Sequence, residues 1–175
     1  ADYGELIPGA LEAVADFRER GLKIGSTTGY TTQMGDILFA EAKRRGYSPD
    51  SAVCASEVPA GRPEPWMCLQ NAFNLQVFPM EAIVKVGDTL PDIEEGLNAS
   101  MWTIGLAKTG NEIGLNADEI AALPEDELEE RLAGAYKRLY QTGAHYVVDG
   151  IWDVPPILDK INARRVELPS GGSLV

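Results

Sequence analysis

The chain has 175 residues, of which 15 are Lys or Arg and 27 are Asp or Glu, so its net charge at pH 7 is −12. Phosphate contacts require a basic face, so this charge argues against a nucleic-acid-binding protein and against an acidic partner surface. With 45% apolar residues the chain can bury one hydrophobic core, which argues against intrinsic disorder. We expect one domain over residues 1–163 and a flexible tail over residues 164–175.

No membrane segment is expected, because charged residues interrupt every run that approaches the roughly 20 apolar residues needed to cross a bilayer. The two cysteines, Cys54 and Cys68, have neither the spacing nor the density of a disulfide framework. They predict reduced, buried thiols in a cytoplasmic protein. The single histidine, His145, is expected to be structural, and no zinc site is predicted from so few sulfur and imidazole ligands.

Apolar spacing and turn residues divide the chain into alternating helices and strands. Helices are predicted over Gly9–Arg20, Thr31–Arg45, a segment beginning at Trp66, Pro91–Ala99, Pro124–Gln141 and Ile151–Ala163. Strands are predicted over Lys23–Ser26, Ala52–Cys54, Ala82–Gly87, Met101–Leu106 and Ala144–Val148. In the helix that begins at Trp66, the spacing places four apolar residues on one face: Trp66, Leu69, Ala72 and Phe73. The order of elements is typical of an α/β, Rossmann-like fold, a parallel sheet with helices on both faces.

Three loops are predicted beyond the carboxyl ends of the strands, where parallel sheets bind their ligands: residues 27–29, 60–63 and 88–92. The first loop offers hydroxyls and backbone N–H groups just before a helix, from Ser26, Thr27, Thr28 and Gly29, and this arrangement favours an oxyanion. The same residues would equally serve as an ordinary helix N-cap. The GxxxxGK[ST] pattern of a P-loop is absent from the sequence.

Asp88 and Asp92 form an acidic pair, four positions apart, after a predicted buried strand. Both carboxylates can face one point, and Mg²⁺ takes a few carboxylate oxygens while water and substrate oxygens complete its octahedron. Alternatively, Asp88 ends a strand and Asp92 stabilises a helix N-terminus. Arg62 lies on a loop stiffened by Pro63, which suits a fixed phosphoryl contact, although a single loop arginine is commonly just solvated.

In this order along the chain, a Ser/Thr, a cation and an acidic pair are the parts of a phosphoryl-transfer site. The order resembles the haloacid dehalogenase superfamily, whose second, third and fourth motifs are matched by Thr28, Arg62, and Asp88 with Asp92. Most members of that superfamily have Lys in the third motif, so the Gly-Arg-Pro around Arg62 points to the phosphonatase (phosphonoacetaldehyde hydrolase) branch. The stretches that resemble this branch are Ile24-Gly25-Ser26-Thr27-Thr28-Gly29-Tyr30-Thr31, Val58-Pro59-Ala60-Gly61-Arg62-Pro63 and Lys85-Val86-Gly87-Asp88-Thr89.

The resemblance implies hydrolysis of the carbon–phosphorus bond of phosphonoacetaldehyde to acetaldehyde and phosphate. In that family a lysine forms a Schiff base with the aldehyde while an aspartate nucleophile takes the phosphoryl group. The resemblance further implies that Asp88 ligates Mg²⁺ and that Asp92 supports the metal site. Thr28 and Arg62 would hold the phosphonyl oxygens, and Gly29 would contribute a backbone N–H. A small phosphonate is the implied substrate, and the full-length family protein is implied to be a homodimer.

Two parts of the family pattern have no counterpart here: the first strand with its nucleophilic Asp, and the helical cap with its Schiff-base Lys. Lys85, in the strand before Asp88, is expected to be structural or to support the site without touching the substrate. In the superfamily the first strand lies mid-sheet, between the strand that ends near Thr28 and the one that ends at Asp88. We therefore expect a fragment that supplies motifs II to IV, has two facing open strand edges, and is poorly stable and inactive by itself.

Other functions remain open at this point. Another phosphatase or phosphomutase of the same superfamily would act on a P–O bond without a Schiff base. A non-catalytic fragment would bind Mg²⁺ or phosphate without turnover. A receiver-type phosphoacceptor module requires an acidic pair after an early strand, which the sequence lacks. The acidic segment 118–130 is interpreted as a solvated helix face.

Overall fold

The computed structural model of the chain describes residues 6–167. Its helices are α1 (Ala10–Glu19), α2 (Thr32–Arg44), α3 (Trp66–Leu75), α4 (Leu90–Asn98), α5 (Ala117–Ala122), α6 (Glu125–Thr142) and α7 (Val154–Glu167). Its strands are β1 (Gly25–Thr28), β2 (Ser51–Cys54), β3 (Val84–Gly87), β4 (Trp102–Leu106) and β5 (Tyr146–Val148). Short 3-10 helices cover Ala55–Glu57, Met80–Ala82 and Ile151–Asp153. Over this range no helix is both long enough and apolar enough to cross a membrane.

The five strands form two parallel sheets. β1 pairs with β2, with Thr28 opposite Cys54, and β4 lies between β3 and β5, with Gly87 opposite Gly105. Within residues 6–167 no strand pairs with the remaining edge of β1 or of β3. A cavity of about 840 Å³, lined by every residue of β1 and β3, lies between these edges. The two facing open edges expected from the sequence are therefore present.

Helices cover both faces of the three-stranded sheet, as predicted. On one face, Phe17 of α1 and Leu158 of α7 pack with Ile104 of β4 in an apolar cluster. On the other face, Ile93 of α4 and Leu139 of α6 belong to a second cluster. Burial of each large aliphatic side chain contributes about 1.5–3 kcal/mol, so these layers hold β3, β4 and α4 in fixed positions. The α/β fold with parallel strands is confirmed.

The start of α4 determines where Asp92 lies. The Thr89 hydroxyl accepts a hydrogen bond from the N–H of Asp92 at 3.3 Å, and the Asp92 carboxylate accepts one from the N–H of Thr89 at 3.3 Å. Pro91 suits the first turn, where its missing N–H is not needed. Gly87 allows this turn to approach β3, because a Cβ there would lie 2.3 Å from the Cβ of Asp92. This strand, turn and helix together place Asp92 beside the end of β3.

The first strand lies later than predicted. The sequence analysis placed it over Lys23–Ser26, whereas β1 runs over Gly25–Thr28. Ile24 is instead held by Asp50, whose carboxylate accepts the Ile24 N–H at 2.8 Å and whose N–H donates to the Ile24 carbonyl at 2.7 Å. The threonines that resembled a turn are the part of the chain that pairs with β2.

Two further differences concern helices. The short helix α5, which begins after the N-cap Asn116, was not predicted. The last helix ends at Glu167, beyond the predicted start of the tail at residue 164, and residues 168–175 of that tail lie outside the described residues.

The predicted apolar face of α3 is correct for Ala72, which is buried, and wrong for its two aromatic residues. Trp66 and Phe73 are exposed, by 44% and 79%, and the buried side of the helix includes Cys68 and Asn71. Asn71 belongs to the buried side because its Nδ2 donates to the Ser26 carbonyl at 2.9 Å. Hydrophobic periodicity cannot anticipate a polar residue that is buried for a hydrogen bond.

Candidate active site

The cavity between the two sheets is lined by the four side chains that the motifs predicted: Thr28, Arg62, Asp88 and Asp92. Thr28 is the last residue of β1, and Asp88 directly follows β3. Arg62 lies in the loop before α3, and Asp92 lies in the first turn of α4. Gly29 is exposed and is not among the residues that line the cavity, so its backbone contact stays a prediction.

Two adjacent threonines at the end of β1 differ in their partners. The Thr28 hydroxyl accepts the backbone N–H of Tyr30 at 3.3 Å, and no acceptor for its own proton occurs within residues 6–167. The Thr27 hydroxyl accepts hydrogen bonds from Nη2 of Arg62 at 2.8 Å and Nζ of Lys85 at 2.7 Å. Thr28 is therefore able to donate to an oxyanion, whereas Thr27 holds two cations of the protein.

Arg62 is held by two carboxylates and by the backbone. Its Nε lies 3.1 Å from Oδ1 of Asp92 and 3.2 Å from Oε2 of Glu95. Its Nη2 donates to the carbonyl oxygen of Thr27 at 2.9 Å. Nη1 has no hydrogen-bond acceptor in the part of the chain that the structure describes, and the side chain is 23% exposed. Nη1 is thus the guanidinium nitrogen available to an oxyanion.

Both carboxylate oxygens of Asp92 are engaged. Oδ2 accepts the Thr89 hydroxyl at 2.6 Å, while Oδ1 lies 3.1 Å from Nε of Arg62 and 3.2 Å from Nζ of Lys85. Burial by itself would raise the pKa of Asp92, but Lys85, Arg62 and the Thr89 hydroxyl hold this pKa below its ordinary value. A metal-ligand role for Asp92 stays a prediction, and its contacts favour an indirect one through the two cations.

Asp88 is the member of the acidic pair with an open oxygen. Its Oδ2 accepts the backbone N–H of Asn111 at 3.0 Å, and its Oδ1 has no hydrogen-bond partner among the described residues. Mg²⁺ commonly binds one or two protein carboxylates and completes its shell with water and substrate oxygens, so this oxygen fits such an ion. Over residues 6–167 there is no group of three or more His, Cys, Asp and Glu side chains that could hold a metal ion.

Lys85 was expected only to be structural or to support the site, and Glu95 was missed by the sequence analysis. They are 9% and 0% exposed, and Nζ of Lys85 lies 2.6 Å from Oε2 of Glu95. A lysine within an otherwise apolar buried strand is a signal for such a pair, because a buried ammonium requires a carboxylate. Glu95 follows Asp92 by three positions on α4, so both carboxylates lie on the same helix face.

The site combines a neutral buried cluster with free polar atoms at its surface. Two cations, Arg62 and Lys85, are matched by two carboxylates, Asp92 and Glu95. The proton of the Thr28 hydroxyl, Nη1 of Arg62 and Oδ1 of Asp88 remain without partners within residues 6–167. Two donors and a carboxylate that line one cavity can bind a tetrahedral oxyanion together with a hard cation.

Comparison with known proteins gives the arrangement a family context. Residues 1–100 match the family model of haloacid dehalogenase-like hydrolases. A protein of Syntrophobacter fumaroxidans called phosphonoacetaldehyde hydrolase-like is 54% identical over 172 residues, 98% of this chain and 61% of that protein. A phosphonoacetaldehyde hydrolase of Nitratidesulfovibrio vulgaris is 52% identical over 158 residues, 90% of this chain and 56% of that protein.

A solved structure gives the same result for the fold. The phosphonoacetaldehyde hydrolase-like protein of Oleispira antarctica superposes with a TM-score of 0.91 at 40% identity, and the match covers 98% of this chain and 61% of that one. The chain thus spans about three fifths of the length of the first relatives that it matches.

Proposed function

Since the chain belongs to the haloacid dehalogenase-like hydrolase family, we propose that it forms the core of a phosphonoacetaldehyde hydrolase. The whole protein, meaning this chain with any further sequence encoded with it, would cleave the C–P bond to give acetaldehyde and phosphate. The observation that carries the proposal is the 54% identity to the phosphonoacetaldehyde hydrolase-like relative over 98% of this chain. That match covers almost the whole chain, and every loop lies at least partly within it.

The residues of this chain would bind and orient the phosphonate. The Thr28 hydroxyl and Nη1 of Arg62 would donate to the phosphonyl oxygens and stabilise the charge that accumulates there as the phosphoryl group transfers. Asp88 would hold Mg²⁺ through Oδ1, and the ion would neutralise phosphonyl charge when bound. Asp92 would act on the site by fixing Arg62, in keeping with the 3.1 Å ion pair between them.

The slot between β1 and β3 is the expected place for the strand that carries the nucleophile in this family. Its walls support the proposal, because unpaired strand edges lie on two sides and apolar residues of α1 and α7, such as Val14 and Leu158, lie on another. A strand there would join the two sheets into one and remove both open edges. Its carboxyl end would then lie between Thr28 and Asp88.

Turnover together with imine trapping tests this function. The whole protein is incubated with phosphonoacetaldehyde and Mg²⁺, acetaldehyde is measured, and a second sample receives borohydride. We expect acetaldehyde release and a borohydride-stable adduct, because only an imine is reduced to a stable amine. Hydrolysis of phosphate esters without acetaldehyde release or an adduct would assign the protein to the P–O phosphatases of the superfamily. Phosphate binding without either reaction would assign a non-catalytic role.

The cellular location and the oligomeric state of the protein belong to the same proposal. A cytoplasmic location is supported by Cys54 and Cys68, both free and buried. A homodimer of the whole protein rests on the family resemblance. Light scattering on the whole protein would measure its mass, and a monomer at micromolar concentration would contradict the dimer.

A further inference from the structure

A buried charge cluster lies directly behind the candidate site, and one carboxylate oxygen stands at its centre. Oε2 of Glu95 lies 2.6 Å from Nζ of Lys85, 3.2 Å from Nε of Arg62 and 3.5 Å from the Thr27 hydroxyl. The other oxygen, Oε1, is buried and has no hydrogen-bond partner among the described residues. Glu95 is completely buried, so surface water does not solvate its carboxylate.

The cluster links the two sheets at the end where the site lies. Thr27 belongs to β1 in the two-stranded sheet, whereas Lys85 of β3 and Glu95 of α4 belong to the three-stranded half. Arg62 contacts both halves, through the Thr27 carbonyl on one side and Glu95 on the other. Glu95 therefore influences how far apart the residues carried by β1 and β3 are held.

The two buried carboxylates of α4, Asp92 and Glu95, are not equivalent. Asp92 is also fixed by the helix cap, through the Thr89 hydroxyl at 2.6 Å, whereas the partners of Oε2 of Glu95 are Lys85, Arg62 and Thr27 of the cluster. Without the charge of Glu95, Asp92 would be the single carboxylate for the two cations Lys85 and Arg62. Lys85 would then compete with Arg62 for Oδ1 of Asp92, and Arg62 would lose the contacts that set its orientation.

We propose that Glu95 is a positioning residue of the phosphonyl-binding site. It holds Arg62 directly and Thr27 through Lys85, so that Nη1 of Arg62 faces the phosphonate. The proposal rests on the proposed function, because it assigns Glu95 a role toward the substrate of that reaction. Glu95 itself does not touch the substrate. Its loss should affect the transferring phosphoryl group more than the bound ground state, since a donor displaced by about 1 Å can cost about a hundredfold in rate.

The test compares four variants of the whole protein: E95Q, E95D, the charge-neutral double variant K85M/E95Q, and E94Q. Glu94 is the matched control, because it is the exposed neighbour of Glu95 on α4. For each variant, kcat and KM for phosphonoacetaldehyde, the dissociation constants of phosphate and orthovanadate, and the thermal midpoint are measured. Orthovanadate adopts the five-coordinate geometry of the transferring group, whereas phosphate does not.

For E95Q we expect kcat to fall about a hundredfold with KM changed less than about threefold. Orthovanadate affinity should fall at least about tenfold more than phosphate affinity. K85M/E95Q should recover thermal stability, because its cluster is neutral again, yet remain slow, and E95D should retain more activity than E95Q. E94Q should match the wild type. If E95Q does not fold, the double variant and E95D carry the same comparison.

Two results would overturn the proposal: E95Q with kcat and orthovanadate affinity within about twofold of the wild type, or a double variant whose kcat recovers together with its thermal midpoint. The second result would make Glu95 merely structural. If the wild type releases no acetaldehyde, the proposed function fails, and the ratio of orthovanadate to phosphate affinity alone decides the role of Glu95.

Discussion

Nε of Arg62 lies 3.1 Å from Oδ1 of Asp92, although Arg62 lies in a loop, Asp92 lies in the first turn of α4, and the two were predicted separately. The contact joins the cation of one predicted motif to the acidic pair of another. It uses one nitrogen of the guanidinium and leaves Nη1 without an acceptor within residues 6–167. The pairing therefore gives Arg62 a fixed orientation, which a solvated loop arginine would not have.

Replacement of Arg62 by Lys should reduce activity strongly. The ammonium of Lys keeps the charge but cannot contact Asp92, Thr27 and a phosphonate at once, because it lacks the planar fork of guanidinium nitrogens. We expect kcat/KM of the R62K whole protein to fall about a hundredfold or more. R131K is the control, since Arg131 forms an exposed pair with Glu127 on α6. An R62K variant within about threefold of the wild type would contradict this orientation argument.

The hydroxyl of Thr28 should be required, and its methyl group should not. T28V removes the donor at nearly constant volume, and we expect kcat/KM to fall by about tenfold to a hundredfold. T28S keeps the hydroxyl and should recover most of that loss. Steady-state kinetics of the two variants of the whole protein measure the difference. Equal activity of T28V and T28S would place the phosphonate away from the end of β1.

Asp88 and Asp92 should differ in their effect on Mg²⁺ binding. D88N removes the carboxylate charge beside the open Oδ1, so Mg²⁺ affinity measured by calorimetry should fall at least about tenfold while the fold is retained. D92N leaves Lys85 and Arg62 with one carboxylate fewer, so it should lower the thermal midpoint more than D88N does. Unchanged Mg²⁺ affinity in D88N would remove Asp88 from the metal site.

The pKa of His145 should lie below the ordinary value for histidine. Burial lowers this pKa, and nearby Arg164 lowers it further. Nδ1 also accepts the N–H of Thr103 at 3.1 Å, which suits the neutral ring. His145 is the one histidine of these 175 residues. If only this segment of the whole protein is isotopically labelled, a single Hε1 resonance can be titrated by NMR. A midpoint above 6.5 would contradict the neutral structural role.

The same shift has a consequence for stability. Between the lowered folded pKa and the unfolded value near 6.5, the unfolded chain binds more protons, so stability rises with pH in that window. The contribution of His145 is fully present above pH 6.5 and decreases as pH falls toward the folded pKa. H145Q should show a smaller fall in thermal midpoint between pH 7 and pH 5 than the wild type. An equal fall in both proteins would assign the dependence to other groups.

The sequence predicts much of the fold because most of its elements have strong local signals. Asp88 and Asp92 could be placed correctly, since an apolar strand leads to Gly87 and the capping residue Thr89 starts α4. β1 was misplaced because Thr27 and Thr28 are polar, and their pairing with β2 depends on residues far along the chain. Such non-local pairing leaves little trace in a short window of sequence.

Only part of the candidate site can be predicted from the sequence, for a similar reason. Motif order identifies Thr28, Arg62 and Asp88, but it gives no information on which neighbour neutralises a buried charge. Lys85 and Glu95 meet only because β3 and α4 pack together, so their 2.6 Å contact is a property of the tertiary structure. The separate partners of Thr27 and Thr28 likewise depend on Arg62, which lies beyond α2 and β2 in the chain.

The central claim is C–P bond cleavage, and ³¹P NMR of phosphonoacetaldehyde with the whole protein and Mg²⁺ tests it most directly. We predict that the phosphonate resonance decays while that of inorganic phosphate grows in equal amount, and that D88N slows this conversion strongly. A phosphonate resonance that persists while a phosphate monoester in the same tube is hydrolysed would contradict the claim.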